Sequence, residues 1–110
     1  MTAKPVVPRQ QANQDVDAII AHYLAEDPSG GAALGFVDAL ERAYLHIARH
    51  PASGSQRYAH ELDLPGLRAG PLTRAPHVVF YIERPNHVDV WRVLHGQRDI
   101  PEWIHESDAS

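Results

Sequence analysis

The stretch from His77 to Pro101, HVVFYIERPNHVDVWRVLHGQRDIP, constrains this chain more than any other. Residues 77–83 are dense in β-branched and aromatic side chains, Arg84-Pro85-Asn86 carries turn chemistry, and residues 87–95 form a second strand-like run. Two such runs around a short turn predict a β-hairpin. With a period of two, Val88, Val90, Arg92 and Leu94 fall on one face of the second strand, and Asp89, Trp91, Val93 and His95 on the other. Both faces are partly apolar. That pattern predicts a central strand covered by helices on one side and, on the other, by something such as a partner chain.

The segments that can cover this hairpin lie upstream. Residues 4–9, KPVVPR, contain two prolines that lack an N–H donor, so this piece is expected as an edge strand or extended lead-in. From residue 10 to 26, Ala12, Val16, Ile19, Ile20, Tyr23 and Leu24 recur at helical spacing, and Asp15 and Asp17 are expected to favour the N-terminal end through the helix dipole. Glu26-Asp27-Pro28 ends that helix. A second helix over residues 31–50 places Phe36, Val37, Leu40, Ala43, Tyr44, Ile47 and Ala48 on one stripe and stops at Pro51. The two helices are expected to lie antiparallel on one face of the sheet. Residues 51–65, rich in Ser, Gly and Pro, read as a surface connection. Residues 66–72 read as a strand in which Gly70 and Pro71 mark a bulge or an edge.

After the hairpin, Gly96 is expected to supply a positive φ for leaving the sheet. Asp99 and Glu102 have capping-box spacing for a short helical turn over residues 99–104 carrying Trp103 and Ile104, followed by a frayed HESDAS tail. The predicted architecture is a single α+β domain over residues 1–110, in the order β-α-α-β-β-β, with two antiparallel helices packed on a small antiparallel sheet.

Composition narrows the function classes. The 110 residues provide for one core. No apolar run approaches the roughly 20 residues of a membrane span, no secretory signal is visible, and cysteine is absent, which points to a cytoplasmic protein. Ten Lys and Arg against fourteen Asp and Glu give a formal charge of -4, which weighs against a function that grips nucleic-acid phosphates, and no direct sequence-specific nucleic-acid binding is expected. All but one of the basic residues are Arg, and Arg57, Arg68, Arg74, Arg84, Arg92 and Arg98 lie in the second half. Such a set suits geometric recognition of carboxylates or phosphates.

Three groups of residues are candidates for function. Arg68, Arg92 and Arg98 stand at strand positions or ends and could converge on one sheet surface; the structural reading has Arg92 pairing with Asp89 or Asp99, and Arg68 bracing a loop. His46 and His50 have a metal-ligating spacing, but no Cys and no acid at a fitting step accompany them, so neither a metal nor a cofactor is expected. Tyr81, Trp91 and Trp103 are either core or anchors for a partner.

The element order, Pro65-Gly66-Leu67-Arg68 entering the second strand, Val78-Val79-Phe80-Tyr81, and above all Arg92-Val93-Leu94-His95-Gly96-Gln97-Arg98-Asp99 together resemble the ParE/RelE superfamily of type II toxin–antitoxin modules. The ParE-like members are the nearer match. The resemblance runs from the first strand to Pro101. It implies a toxin that binds the DNA-cleaving subunit of DNA gyrase and forms a hetero-oligomer with a ParD-like antitoxin. Within that reading Arg98, Trp103 and Arg74 are expected as target contacts and Tyr81, Trp91 and Arg68 as antitoxin contacts. RelE-like members of the same superfamily instead cut mRNA on the ribosome. On that alternative Arg68, Arg92 and His95 would be catalytic, stabilising a phosphate and moving the 2′-hydroxyl proton. A third reading is a non-toxic homologue that only binds its antitoxin.

Overall fold

The hairpin forms as its turn chemistry demands: β3 (His77–Glu83) and β4 (Val88–His95) pair antiparallel, and the Arg84 N–H donates to the His87 carbonyl at 2.8 Å to close the turn. This computed structural model describes residues 3–108, with side chains up to residue 103. Around the hairpin stand β1 (Val6–Pro8), α1 (Gln10–Glu26), α2 (Gly31–Arg49), a 3₁₀ turn (Pro51–Ser53), β2 (Leu67–Pro71) and, after β4, α3 (Asp99–Asp108). The sheet order is β1-β4-β3-β2. The α+β class and the order of elements match the expectation. The sheet, however, is mixed: β1 runs parallel to β4, because the chain crosses the sheet through both helices before β2.

Both sheet edges are blunted against further strand pairing. β1 is three residues long and ends in Pro8, which has no N–H. On the outer side of β2, Ala69 exchanges both backbone bonds with Ser55, Leu67 N–H is taken by the Leu64 carbonyl, and Pro71 has no donor.

One irregularity in β4 overturns the simple alternation. Phe80 pairs with Arg92 but Tyr81 pairs with Val90, so Trp91 is an extra residue, a β-bulge. The bulge shifts the parity of everything beyond it. Val88, Val90 and Val93 join the helix-side core, whereas Leu94 joins the opposite one. The expected grouping of Leu94 with Val90 therefore fails. No bulge forms at Gly70, whose register with Val79 is regular.

The helical hairpin covers one face because its stripes fit there: Ala12, Phe36, Ala39, Leu40 and Ile47 pack on Leu72, Val79, Tyr81, Val88, Val90 and Val93. Burying each large apolar side chain contributes about 1.5–3 kcal/mol before conformational entropy is counted. Asp27 joins the two helices. Its carboxylate accepts from the Ser29 hydroxyl at 2.6 Å and from the Ala32 N–H at 3.1 Å, and Gly30 takes a left-handed φ of 88° to begin α2. The Ser29 and Ala32 bonds hold the Asp27 carboxyl below its usual range.

The second face was expected to await something such as a partner, but the chain covers it. Tyr58, Ala59, Leu62 and Leu64 fold onto Leu67, Ala69, Phe80, Ile82 and Leu94, and Ile100 and Trp103 of α3 complete the layer. Residues 51–65 are thus not merely a surface connection. Their Ser, Gly and Pro content obscures four hydrophobes that have no helical or strand period. Gly96 does not use a positive φ; its place is a tight one, where an added Cβ would stand 3.3 Å from the Pro76 carbonyl oxygen. Asp99 does not close a capping box with its own helix, since its carboxylate accepts from the His95 N–H at 2.9 Å. The α3 backbone continues to Asp108, beyond the expected residue 104; the Ile104 side chain and residues 109–110 of the tail lie outside what is described.

Tyr81 is fully buried, and its hydroxyl ties the post-α2 turn to the sheet, accepting from the Gly54 N–H and donating to the Pro51 carbonyl, both at 2.9 Å. Gly54 must be glycine here, because a Cβ would stand 2.5 Å from the Tyr81 oxygen and 2.9 Å from the Arg68 Cβ. Tyr81→Phe leaves a buried N–H and a carbonyl unpaired and is expected to cost about 1–3 kcal/mol in urea unfolding. A loss below ~0.5 kcal/mol would show that this hydroxyl carries no structural role.

Candidate functional site

The polar chemistry of the chain gathers along β4. β1 flanks only residues 88–90 of that strand, so the rest would be an open edge. α1 covers it, and Asp15 satisfies the exposed ladder: its carboxylate accepts from the Val93 N–H at 3.1 Å and from Arg92 Nε and Nη2 at 2.8 and 3.0 Å. The pair is largely shielded, the Asp15 side chain being 10% exposed and that of Arg92 22%. The Arg92 guanidinium also lies 5.7 Å from the Trp103 ring centroid. Nearby on α2, burial and the charge of Asp15 push the Tyr44 hydroxyl up to about 12, so it stays protonated.

A second node surrounds Asp89, nearer the start of β4. Arg9 Nε and Nη2 reach its two oxygens at 2.9 and 3.0 Å, Arg84 adds Nε and Nη2 at 3.2 and 3.1 Å, and the Trp91 indole N–H donates at 3.2 Å. The Arg9 guanidinium also stacks on the Trp91 ring, 3.7 Å from its centroid. Burial by itself would raise the Asp89 carboxyl, but the bonds from Arg9 and Arg84 outweigh it and hold the group below the usual carboxylate range.

The third node lies where β3 begins and β4 ends. His77 is buried among Phe36, Tyr23 and His95, with ring centroids at 5.1, 6.1 and 5.5 Å. Its Nδ1 has no hydrogen-bond partner among the described residues. Burial, reinforced by His95, Arg98 and His22 and opposed by Asp99, pushes the His77 imidazole down to about 4, so the ring is neutral. His95 Nδ1 accepts from the backbone N–H groups of Gln97 and Arg98 at 3.2 and 3.3 Å. An open cleft of about 370 Å³ runs along α1, β4 and α3, lined by Asp15, His22, His77, Arg92, Arg98 and Trp103.

The structure therefore separates Arg68 from Arg92 and His95. Arg68 sits on β2, two strands from β4, and its Nη1 donates to the Ala52 and Gly54 carbonyls at 3.1 and 2.8 Å, which is the loop brace the sequence suggested. Arg92 pairs with Asp15, not with Asp89 or Asp99, because the bulge at Trp91 turns it toward the α1 flank. Tyr81, expected at a partner surface, is fully buried and presents nothing to one. Trp91 is partly buried under Arg9, and Trp103 packs edge-on to Phe80 at 4.9 Å. Arg74 is exposed in the β2–β3 turn with a φ of 65°, and Arg98 is exposed at the start of α3. These two stand at the same end of the sheet, since the Gly96 N–H bonds the Pro76 carbonyl and His77 pairs with His95. His46 and His50 are exposed neighbours with ring centroids 5.1 Å apart. Among the described residues no group of three His, Asp or Glu side chains is placed to share a metal ion.

Sequence reasoning missed Asp15, Arg9, Asp89 and His77 as organising residues. Asp15 lies beyond the first turn of α1, so the dipole role expected for it does not apply. A signal was available: Asp15 falls three residues after Ala12 and four before Ile19, on the buried stripe, and an acid there needs a cationic partner.

Comparison with known proteins adds to this geometry. Residues 6–100 match the family model described as the ParE toxin of type II toxin-antitoxin system, parDE. Among solved structures, a chain of the "Chromosomal ParDE TA system from P. aeruginosa" superposes with a TM-score of 0.69 at 20% sequence identity, over 84% of this chain and 96% of that chain. No curated protein matches the sequence.

Proposed function

Because the chain belongs to the ParE toxin family of type II toxin–antitoxin systems, we propose that it acts by binding DNA gyrase and is neutralised by a ParD-like antitoxin. The action is binding without chemistry of its own. The observation that carries this reading is the commitment of every residue an mRNA-cleaving site would use. Arg68 braces the 51–54 turn, Arg92 is engaged by Asp15, and the Nδ1 of His95 is filled by two backbone amides. A general base and a phosphate-stabilising cation need to converge on one reacting group, and these do not.

Gyrase would be trapped in its DNA-cleaved state through higher affinity for that state than for the resting one. The proposed target face is the sheet end that holds Arg74 and Arg98, with Trp103 of α3 beside it. Arg98 supports this assignment because it is exposed and makes no side-chain ion pair among the described residues. For the antitoxin, Trp91 and its Arg9 cover are the proposed anchor. The blunted sheet edges favour engagement through side chains over strand addition. The structural neighbour is itself named for a ParDE system, which supports a partner of the ParD type and a toxin–antitoxin hetero-oligomer. No helix among the described residues is long and apolar enough to cross a membrane, and a gyrase-directed toxin would work in the cytoplasm.

The test pairs purified protein with gyrase, following supercoiling and accumulation of cleaved DNA, beside a coupled translation reaction. Lost supercoiling with cleaved DNA and intact mRNA is expected. Arg98→Ala should weaken the gyrase effect by about tenfold while leaving the melting temperature unchanged, since exposed arginines anchor interfaces but contribute little to folding. Untouched gyrase, with mRNA cut only when ribosomes are present, would reject the proposal in favour of ribosome-dependent cleavage.

A further inference from the structure

α2 turns one stripe of its surface to solvent. Leu34, Asp38, Arg42, Leu45 and Arg49 are all exposed and recur at three- and four-residue steps on one helix face. Leu34 is 71% exposed and Leu45 50%, a cost to solubility that nothing in the fold itself requires. Between the two leucines, Arg42 Nη2 and Asp38 Oδ2 form an exposed ion pair at 3.1 Å. Arg49 makes no side-chain ion pair among the described residues. Along the helix the stripe runs apolar, acid, base, apolar. Reversed, it is its own complement.

We infer that this face docks on the same face of a second copy of the chain, with the two α2 helices antiparallel about a two-fold axis passing between Asp38 and Arg42. Such a contact is isologous, so each match is made twice. Leu34 then lies beside Leu45 of the partner subunit, Asp38 meets Arg42 of the partner subunit, and Arg49 approaches Asp27 of the partner subunit. The surface is shaped for this register. A shallow depression of about 200 Å³, lined by Arg42, Leu45, His46, Arg49 and His50, receives Leu34 of the partner subunit. At Gly35 nothing lies within 4 Å of where a Cβ would be, which leaves room for Leu45 of the partner subunit.

The charges favour a second copy over a foreign protein, because only a self-partner is guaranteed the reversed order of acid and base. Exchanging the two internal Asp38–Arg42 pairs, one in each subunit, for two intermolecular ones costs little, since each internal pair is exposed and weak. Antiparallel helices also align their dipoles favourably. A single helix pair buries less than a standard interface, so association in the micromolar to millimolar range is expected. The dimer leaves α3 and the sheet end bearing Arg98 open, because α2 packs in the opposite layer.

Sedimentation equilibrium of the purified chain, up to about 1 mM, tests this. The expected result is a concentration-dependent monomer–dimer equilibrium, weakened about tenfold or more by Leu34→Glu. Asp38→Arg and Arg42→Asp should each weaken it, and the double variant should restore it. All three positions are exposed, and circular dichroism confirms that each variant remains folded. A monomer at every concentration overturns the inference, as does a dimer indifferent to Leu34→Glu or to the charge exchange.

Discussion

Asp15→Ala is expected to lower the unfolding free energy by about 3–5 kcal/mol, a large part of the stability of a domain this size. The carboxylate does two things. It compensates a guanidinium that is 22% exposed, and it accepts from the Val93 N–H at the flank of β4. Removing it takes two charge-assisted bonds from Arg92 and leaves the Val93 donor without its acceptor in a shielded place. Asp15→Asn should fall between wild type and alanine, because the amide oxygen can still accept from Val93 but brings no charge. Asp15→Leu combined with Arg92→Met should recover much of the loss, since a buried ion pair exchanged whole for apolar residues is often neutral. Urea denaturation of the four proteins measures all of this. An Asp15→Ala penalty under ~1 kcal/mol would mean that the pair is solvated in solution and does not hold α1 to the sheet.

Stability should also fall as pH drops from 6.5 to 4, by about 3 kcal/mol from His77 alone. The sign follows from which state takes the proton. Unfolded, the imidazole titrates near 6.5; folded, burial together with His95 and Arg98 holds it down to about 4. Between those values the unfolded chain binds a proton that the folded chain refuses. Stability is therefore full above 6.5, declines through the window and loses no more to this group below about 4. Asp89, held below its usual range, adds its own loss at more acidic pH. His77→Phe isolates the effect: the ring is kept among Phe36, Tyr23 and His95 and the titration is removed. Between pH 7 and 4 the wild-type protein should lose stability that the variant keeps, so the difference between their unfolding free energies should change by about 3 kcal/mol. Parallel curves would show that His77 is not buried as a neutral ring.

Much of this was legible in one sequence because it depends on local rules. β-branched runs around Arg84-Pro85-Asn86 specify a hairpin, and the apolar stripes of α1 and α2 follow from a period of 3.6 residues. Proline in the first strand placed it at an edge, and the run from Arg92 to Asp99 carried the family resemblance. These features are decided by neighbours in the chain, and a sequence states its neighbours directly.

The features that needed the folded chain have a different physical origin. The bulge at Trp91 depends on how β4 fits β3, and by inserting one residue it reassigned every side chain after it. The partners of Arg92 and Asp89 are 77 and 80 residues away in sequence for their Asp15 and Arg9 contacts, so spacing along the chain could not reveal them. Tyr81 has the character of an aromatic anchor, yet its hydroxyl holds the turn at Gly54 from inside the core. Residues 51–65 hid their hydrophobes because an irregular segment has no period to detect. Elements, their order and the family follow from the order of residues alone. Which charges meet does not, since electrostatic partners are chosen by proximity in space, after the hydrophobic faces have brought distant segments together.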